Sequence, residues 1–345
     1  MDTSRATVEL RLTGGLDTWK DGLWLAPAAV AANLEAEPAY PHVAFRAMGC
    51  TVRAEVASLD SLAESRLGQV SSWFESWEAR LTRFRPSSEL SQLNARAGEA
   101  VPVSPVLWDV IQASIRAARI SAGLVTPLVL QALQAAGYDR PFDEMRGEDR
   151  PPSSSPGPVA DWREIVLDPV ARTVRLPAGA RMDLGGVGKG WAAEQAAYRL
   201  KARGPVMVSA GGDIAFSGRR RASLPWKVTV ADPHRPERDL TALALRSGGV
   251  ATSGTDFRRW TSGGVMQHHL IDPRTGTPSE SDVLSATVVA PSLQLAEVAA
   301  KVAILLGSRE GLAWIERQPT LAGLIVLESG ERVESQRLAQ HVWRQ

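Results

Sequence analysis

The sequence predicts an α+β fold in layers, on three observations. Short stretches of alternating apolar and polar residues recur along the chain, longer stretches carry apolar residues at helical spacing, and the two kinds mix without a strict βαβ rhythm. The alternation is read first in "ATVELRL", Ala6 to Leu12, and in "TVRAEVAS", Thr51 to Ser58, each the pattern of a half-buried strand. Residues 61–83 then place Leu62, Leu67, Val70, Trp73, Phe74, Trp77 and Leu81 at helical spacing, and this Trp-rich face is read as core. A second helix is predicted over Pro105 to Ser121, because proline suits a first turn, where its missing N–H has no partner to lose. "RGEDRPPSSSPGPVAD", Arg146 to Asp161, is rich in charge, proline and serine and reads as an exposed linker or loop. After it, the strands "EIVLD", "TVRL", "PVMVSA" and "WKVTVA" alternate with helices over Trp191 to Arg203 and Leu293 to Gly307.

Composition sets the outer bounds. With 345 residues, 44% of them apolar, the chain can bury one large core or two smaller ones. A net charge of +1, from 39 basic and 38 acidic residues, gives no field of one sign to draw it to nucleic acid or an anionic membrane. The single cysteine, Cys50, excludes an internal disulfide and the usual cysteine-based zinc site, and fits a reducing compartment. "GLWLAPAAVAA", Gly22 to Ala32, imitates the apolar core of a signal peptide, but acidic residues precede it and it reads as a surface or core segment. No stretch approaches the roughly 20 apolar residues of a membrane helix, so the expected location is cytoplasmic.

Three glycine clusters carry the chemistry. In "MDLGGVGKGWAAE" an acidic residue and a glycine-rich turn lead into a helix, where free backbone N–H groups and Lys189 suit a phosphate. The Walker pattern fails at two positions, Asp183 and Gly190, and a tight turn without a ligand is the competing reading. "VMVSAGGDIAFSG" brings Gly211, Gly212 and Asp213 after a strand, and "GGVATSGTDFRRW" sets Ser253, Thr255 and Asp256 about Gly254; each suits an anion or a plain turn.

Their order decides between these readings. Followed by "HHLIDPRTGTP" and "SATVVAPSLQLAEVAAKVAILL", and preceded by "RAMGCTVRAEV", "RFRPSSELSQLN" and "GLVTPLVLQALQAAGYDR", the clusters resemble the FAD:protein FMN transferase (ApbE) family over roughly residues 43–310. Residues 1–42 have no counterpart and stand as an extension, with 43–345 as one ApbE-like domain and 146–160 its exposed loop. The resemblance implies a T-fold-like pair of intertwined α/β halves with FAD in the cleft between them. It also implies the reaction: the FMN half of FAD passes to a threonine hydroxyl of an acceptor protein, and AMP leaves.

By matching position, the resemblance assigns Met48, Gly49, Phe84, Leu124, Val125, Thr126, Asp183, Gly185, Lys189, Gly211, Gly212, Asp213, Ser253, Gly254, Ile271 and Thr275 to FAD binding. At Val125 and Thr126 a Val-Thr pair replaces the family's Phe-Asp. His269 matches the motif histidine that acts on the pyrophosphate, as a general acid or base or as a positioning donor. Asp272, Arg274, Thr275 and Gly276 shape the turn that holds it, and His268 is a flank. The family's metal site takes a backbone carbonyl, here that of Gly186, an Asp, and a Thr four residues later. In this chain "AEVAAK" puts Glu297 and Lys301 there. Either these two form a helix-surface i,i+4 pair, or the Lys301 amine stands where the family has Mg2+, or Lys301 turns to solvent and Glu297 with the Gly186 carbonyl still binds Mg2+. The leading expectation is therefore an FMN transferase. The alternatives are an FAD-binding protein without transfer, as a flavin carrier or slow FAD pyrophosphatase, and a ligand-free scaffold, against which Lys189, His269 and the glycines count.

Overall fold

In "TVRAEVAS" the predicted alternation builds one strand of an eight-stranded sheet. The computed structural model describes residues 10–12, 40–145, 149, 151, 157–218, 224–256 and 258–344. The sheet consists of β1 (His42–Ala47), β2 (Cys50–Val56), β3 (Val206–Ala210), β4 (Asp213–Ser217), β5 (Gly248–Gly254), β6 (Val283–Ala290), β7 (Ala322–Leu327) and β8 (Arg332–Glu334). Its spatial order is the chain order, and every neighbouring pair is antiparallel. The architecture is α+β as expected, with the meander interrupted by long excursions.

The largest excursion, residues 57–205, carries α1 (Ser61–Leu67), α2 (Val70–Leu81), α3 (Glu89–Ala95), α4 (Pro105–Ile120), α5 (Leu130–Ala135) and α6 (Gly188–Leu200). Between β6 and β7 run α7 (Leu293–Leu306) and α8 (Ser308–Arg317). Helix α6 packs on β3 and β4, α7 packs on β5 and β6, and the two helices touch. The period-2 geometry of a strand divides its side chains between two cores. Val206, Val208, Ala210, Ala286 and Val288 join the helices, whereas Met207, Ile214, Phe216, Val250 and Val289 meet a second layer. That layer is a three-stranded sheet of Leu10–Leu12, Trp226–Asp232 and Arg235–Leu245.

Several predicted bounds shift. The single helix expected over 61–83 is two, because the chain tightens at Gly68, where the Gln69 amide bonds the Arg66 carbonyl, three residues back. Leu67, Val70, Phe74, Trp77 and Leu81 are core, but Leu62 is exposed and Trp73 only half-buried, with Arg66 and Arg199 over its ring. Helix α4 begins as predicted with Pro105 behind the N-cap Ser104, whose hydroxyl accepts from the Leu107 amide. Helix α6 starts three residues earlier than predicted, since the amide of Gly188 already bonds the Leu184 carbonyl at 2.7 Å. This places Lys189 in the first helical turn. The segment Gly22 to Ala32 and much of the 146–156 stretch lie outside the described residues. Among the described residues no helix is long and apolar enough to cross a membrane.

Candidate active site

The glycine-rich turn before α6 is anchored by Asp183. Its amide bonds the Pro127 carbonyl at 2.8 Å and its Oδ1 accepts from the Gly185 amide at 2.8 Å. Its Oδ2 accepts from Arg83 Nε at 2.8 Å, in a pair whose side chains are only 5% and 14% exposed. Arg83 also donates to the Tyr138 carbonyl, and its guanidinium lies over the rings of Phe84 and Tyr138, 4.2 and 4.6 Å from their centroids. Tyr138 in turn stacks against Trp260. Four predicted positions, Val125, Thr126, Asp183 and Gly186, meet at one small cavity of about 40 Å³. The Ser121 hydroxyl at the end of α4 holds this stretch by accepting from the Val125 amide, and Leu124 packs half-buried against the core.

The second glycine cluster faces the same helix end. Lys189 Nζ stands 3.8 Å from Asp213 Oδ2, and Asp213 Oδ1 accepts from the Thr252 amide on β5. Gly211, with φ at +67°, turns tightly beneath them: a Cβ there would lie 3.1 Å from the Cys50 Cβ and 3.7 Å from Lys189 Nζ. Gly212 follows at φ +94°. Across the turn, the β1–β2 hairpin puts Met48 and Gly49 in the left-handed region, and the Met48 amide donates to Glu78. A Cβ at Gly49 would lie 3.7 Å from the Arg258 Nη2. Burial pushes the Cys50 thiol up, partly opposed by the charges of Lys189 and Arg258.

On α7, Lys301 Nζ is 3.1 Å from Glu297 Oε1, both side chains nearly buried. Glu297 Oε2 has no hydrogen-bond partner and points at the first turn of α6, where a Cβ on Gly190 would come within 2.5 Å of it. Burial pushes the Glu297 carboxyl up, and Lys301 pulls it back. A Cβ on Gly186 would lie 3.8 Å from the Lys301 Cε. The three residues aligned with a metal site are thus together, but their donors do not suit Mg2+. One carboxylate oxygen is spent on an ammonium, the other faces helix backbone, and a cation occupies the third place. Among the described residues no group of three or more His, Cys, Asp or Glu could hold a metal.

The two histidines of "HHLIDP" have opposite surroundings. His268 Nδ1 accepts from the Leu270 amide at 3.2 Å, which leaves its Nε2 to donate to the Ser279 carbonyl at 3.0 Å. His269, just past the strand Val265–His268, makes no hydrogen bond among the described residues, and its Nδ1 is wholly covered. Burial first, and then the charges of Arg258, Lys189 and Lys301, hold its pKa well below the ordinary 6.5, so the imidazole is neutral at pH 7.

The residues after it turn inward instead. Asp272 is gripped by Arg274, which also donates to the Leu305 carbonyl at the end of α7 at 2.7 Å. Thr275 bonds the Asp272 carbonyl and Thr277, Gly276 packs against Gly157, and Ile271 is buried. Ser253 and Gly254 lie buried near the end of β5, where Asp256 crowds Gly254 and burial pushes the Asp256 carboxyl up to about 6. Sequence reasoning missed Arg83 and Arg258. Both stand in motifs it singled out, but Arg83 pairs with an aspartate a hundred positions away, for which the sequence carries no signal.

A family model described as "ApbE family" matches residues 48–325. An FAD:protein FMN transferase of Treponema pallidum is 28% identical over 299 residues, 81% of this chain and 82% of its own length. One of Salmonella typhimurium is 25% identical over 312 residues, 86% of this chain and 87% of its own. Among solved structures, the ApbE protein of Thermotoga maritima matches with a TM-score of 0.78 at 24% identity, over 88% of this chain and all of its own. The flavin transferase ApbE of Vibrio cholerae matches at 0.70 and 22% identity, over 87% of this chain and 98% of its own. At those identities the structural likeness speaks for a shared fold.

Proposed function

The chain belongs to the ApbE family, and on that footing we propose that it is an FAD:protein FMN transferase, moving FMN from FAD to a threonine hydroxyl of an acceptor protein. The observation that carries this reading is His269: a neutral imidazole without a protein partner, within the field of Arg258, Lys189 and Lys301. A histidine kept for structure has its nitrogens satisfied, as His268 does. One left neutral among cations is suited to take a proton next to an anionic ligand.

In the proposed reaction the threonine oxygen attacks the phosphorus on the FMN side of the pyrophosphate. The bond from that phosphorus to the oxygen bridging it to AMP breaks, AMP leaves with the bridging oxygen, and FMN is joined to the acceptor through a phosphodiester. His269 takes the proton of the attacking hydroxyl. Lys189, held by Asp213 in the first turn of α6, meets the phosphate oxygens, whose charge such a transfer has to stabilise. Phe84, exposed on the side away from the Arg83 guanidinium that backs it, offers a flat surface for a flavin or adenine ring. No step runs through a metal ion, because the donors at Gly186, Glu297 and Lys301 do not suit one.

Titration of purified protein with FAD and with FMN, followed by flavin fluorescence, tests the reading at the level of binding. FAD binding the tighter of the two is expected, because the proposed site gathers its cations for a pyrophosphate and not for a monophosphate end. Equal or weaker binding of FAD would sink it.

A further inference from the structure

The three cations around His269 differ in their partners. Lys189 has Asp213 at 3.8 Å and Lys301 has Glu297 at 3.1 Å, so each ammonium faces a carboxylate. Arg258 faces none: it is half-buried, and among the described residues it has neither a hydrogen bond nor an ion pair. Its Nη2 reaches to the Met48–Gly49 turn, and its charge is felt by both Cys50 and His269. Of these five charged groups, one positive charge is left over, and it is on a guanidinium.

We infer that this chain carries the counter-charge for the pyrophosphate on its own side chains, with Arg258 the group that engages it and the Glu297–Lys301 pair closing the place where the family holds a metal ion. The inference rests on the FAD reading above and says how that site works. A guanidinium presents a planar fork of donors that matches two phosphate oxygens at once, and a partly buried one without an anion is an incomplete pair. The divalent ion, by contrast, has no room. Mg2+ requires six oxygen ligands near 2.1 Å, whereas Glu297 Oε1 already holds an ammonium and Oε2 abuts the Gly190 backbone. Glycine at 190 is what lets α6 and α7 close on that pair, since a Cβ would displace the carboxylate.

The test is FAD binding by the full chain, followed by flavin fluorescence in excess EDTA and again in Mg2+, with a titration of Mn2+ alone by calorimetry. Wild type is expected to bind FAD with the same affinity in both solutions, within about twofold, and to take up no Mn2+. Arg258→Met is expected to lower FAD affinity about 10- to 100-fold, the scale of a lost charged hydrogen bond, with or without Mg2+. Arg258→Lys should recover part of that loss, since it restores the charge and not the fork. FAD binding that collapses in EDTA overturns the inference and leaves the FMN transferase reading standing, as does an Arg258→Met protein with wild-type affinity. Wild type that binds no FAD in either solution overturns both. The wild-type comparison stands whether or not a variant folds.

Discussion

Two sets of residues in the site spend their polar groups in opposite ways. From His268 to Thr277 nearly every side chain that can hydrogen-bond does so within the protein: His268 through both nitrogens, Asp272 with Arg274, Arg274 with the end of α7, Thr275 with Thr277. By contrast, His269 Nδ1 within that stretch and Glu297 Oε2 on α7 are buried without partners, and among the described residues Arg258 has no anion. Buried polar groups are normally satisfied because an orphan costs about 1–3 kcal/mol. The satisfied residues are scaffold, and at His269 and Arg258 a ligand is left to complete the pairing. The difference teaches that within a single motif the residues to be tested for function are those the fold leaves unfinished.

Removing a finished partner should therefore damage the fold, and removing an unfinished one should damage the chemistry. The largest effect is expected at Arg83, whose nearly buried pair with Asp183 joins α2 to the glycine turn. Arg83→Met leaves a buried carboxylate uncompensated and should cost about 3–5 kcal/mol in denaturant unfolding. A loss within 1 kcal/mol would mean that the pair behaves as a surface bridge. Next comes His269→Ala, which should cut AMP release by ~10²-fold or more while FAD affinity changes little and the melting temperature holds. Full turnover in that variant would reduce His269 to a flank.

The satisfied turn supplies the opposite case. Arg274→Ala removes the donor to the Leu305 carbonyl and one side of a half-exposed ion pair, so a stability loss of about 1 kcal/mol is expected, with FAD affinity unchanged. A large fall in affinity there would break the contrast between the two sets. The smallest effect is in pH. Both histidines have folded pKa values below the 6.5 of a free imidazole, so below that pH the unfolded chain binds protons that the folded chain refuses. Their contribution to stability is complete above about pH 6.5 and is lost as pH falls beneath it. The acid limb of kcat/KM should likewise lie below 6.5; a limb above it would mean that His269 is not the free base.

How far the sequence reached can be judged residue by residue. The family motifs were legible because they are local: the glycine turns, Lys189, and the histidine before Leu270 are all read within a dozen positions. Strand alternation placed β2 and β3 well, yet nothing in the sequence shows that they are neighbours, because residues 57–205 intervene before β3 returns to pair with β2. The start of α6 was missed by three residues because glycines at 188 and 190 read as turn; they are helical, and Gly190 is required by the approach of Glu297. Arg83 and Arg258 escaped for a common reason. Their importance lies in what they do or do not pair with, and pairing at a distance leaves no local pattern.

The most direct measurement of the central claim is transfer itself. Purified protein is incubated with FAD and an acceptor peptide containing threonine, and flavin fluorescence retained on the denatured peptide is compared with AMP released into solution. The account predicts fluorescent peptide with one AMP for each flavin attached, and neither product when the threonine is replaced by alanine. AMP appearing together with free FMN while the peptide stays dark would show hydrolysis in place of transfer, and would contradict it.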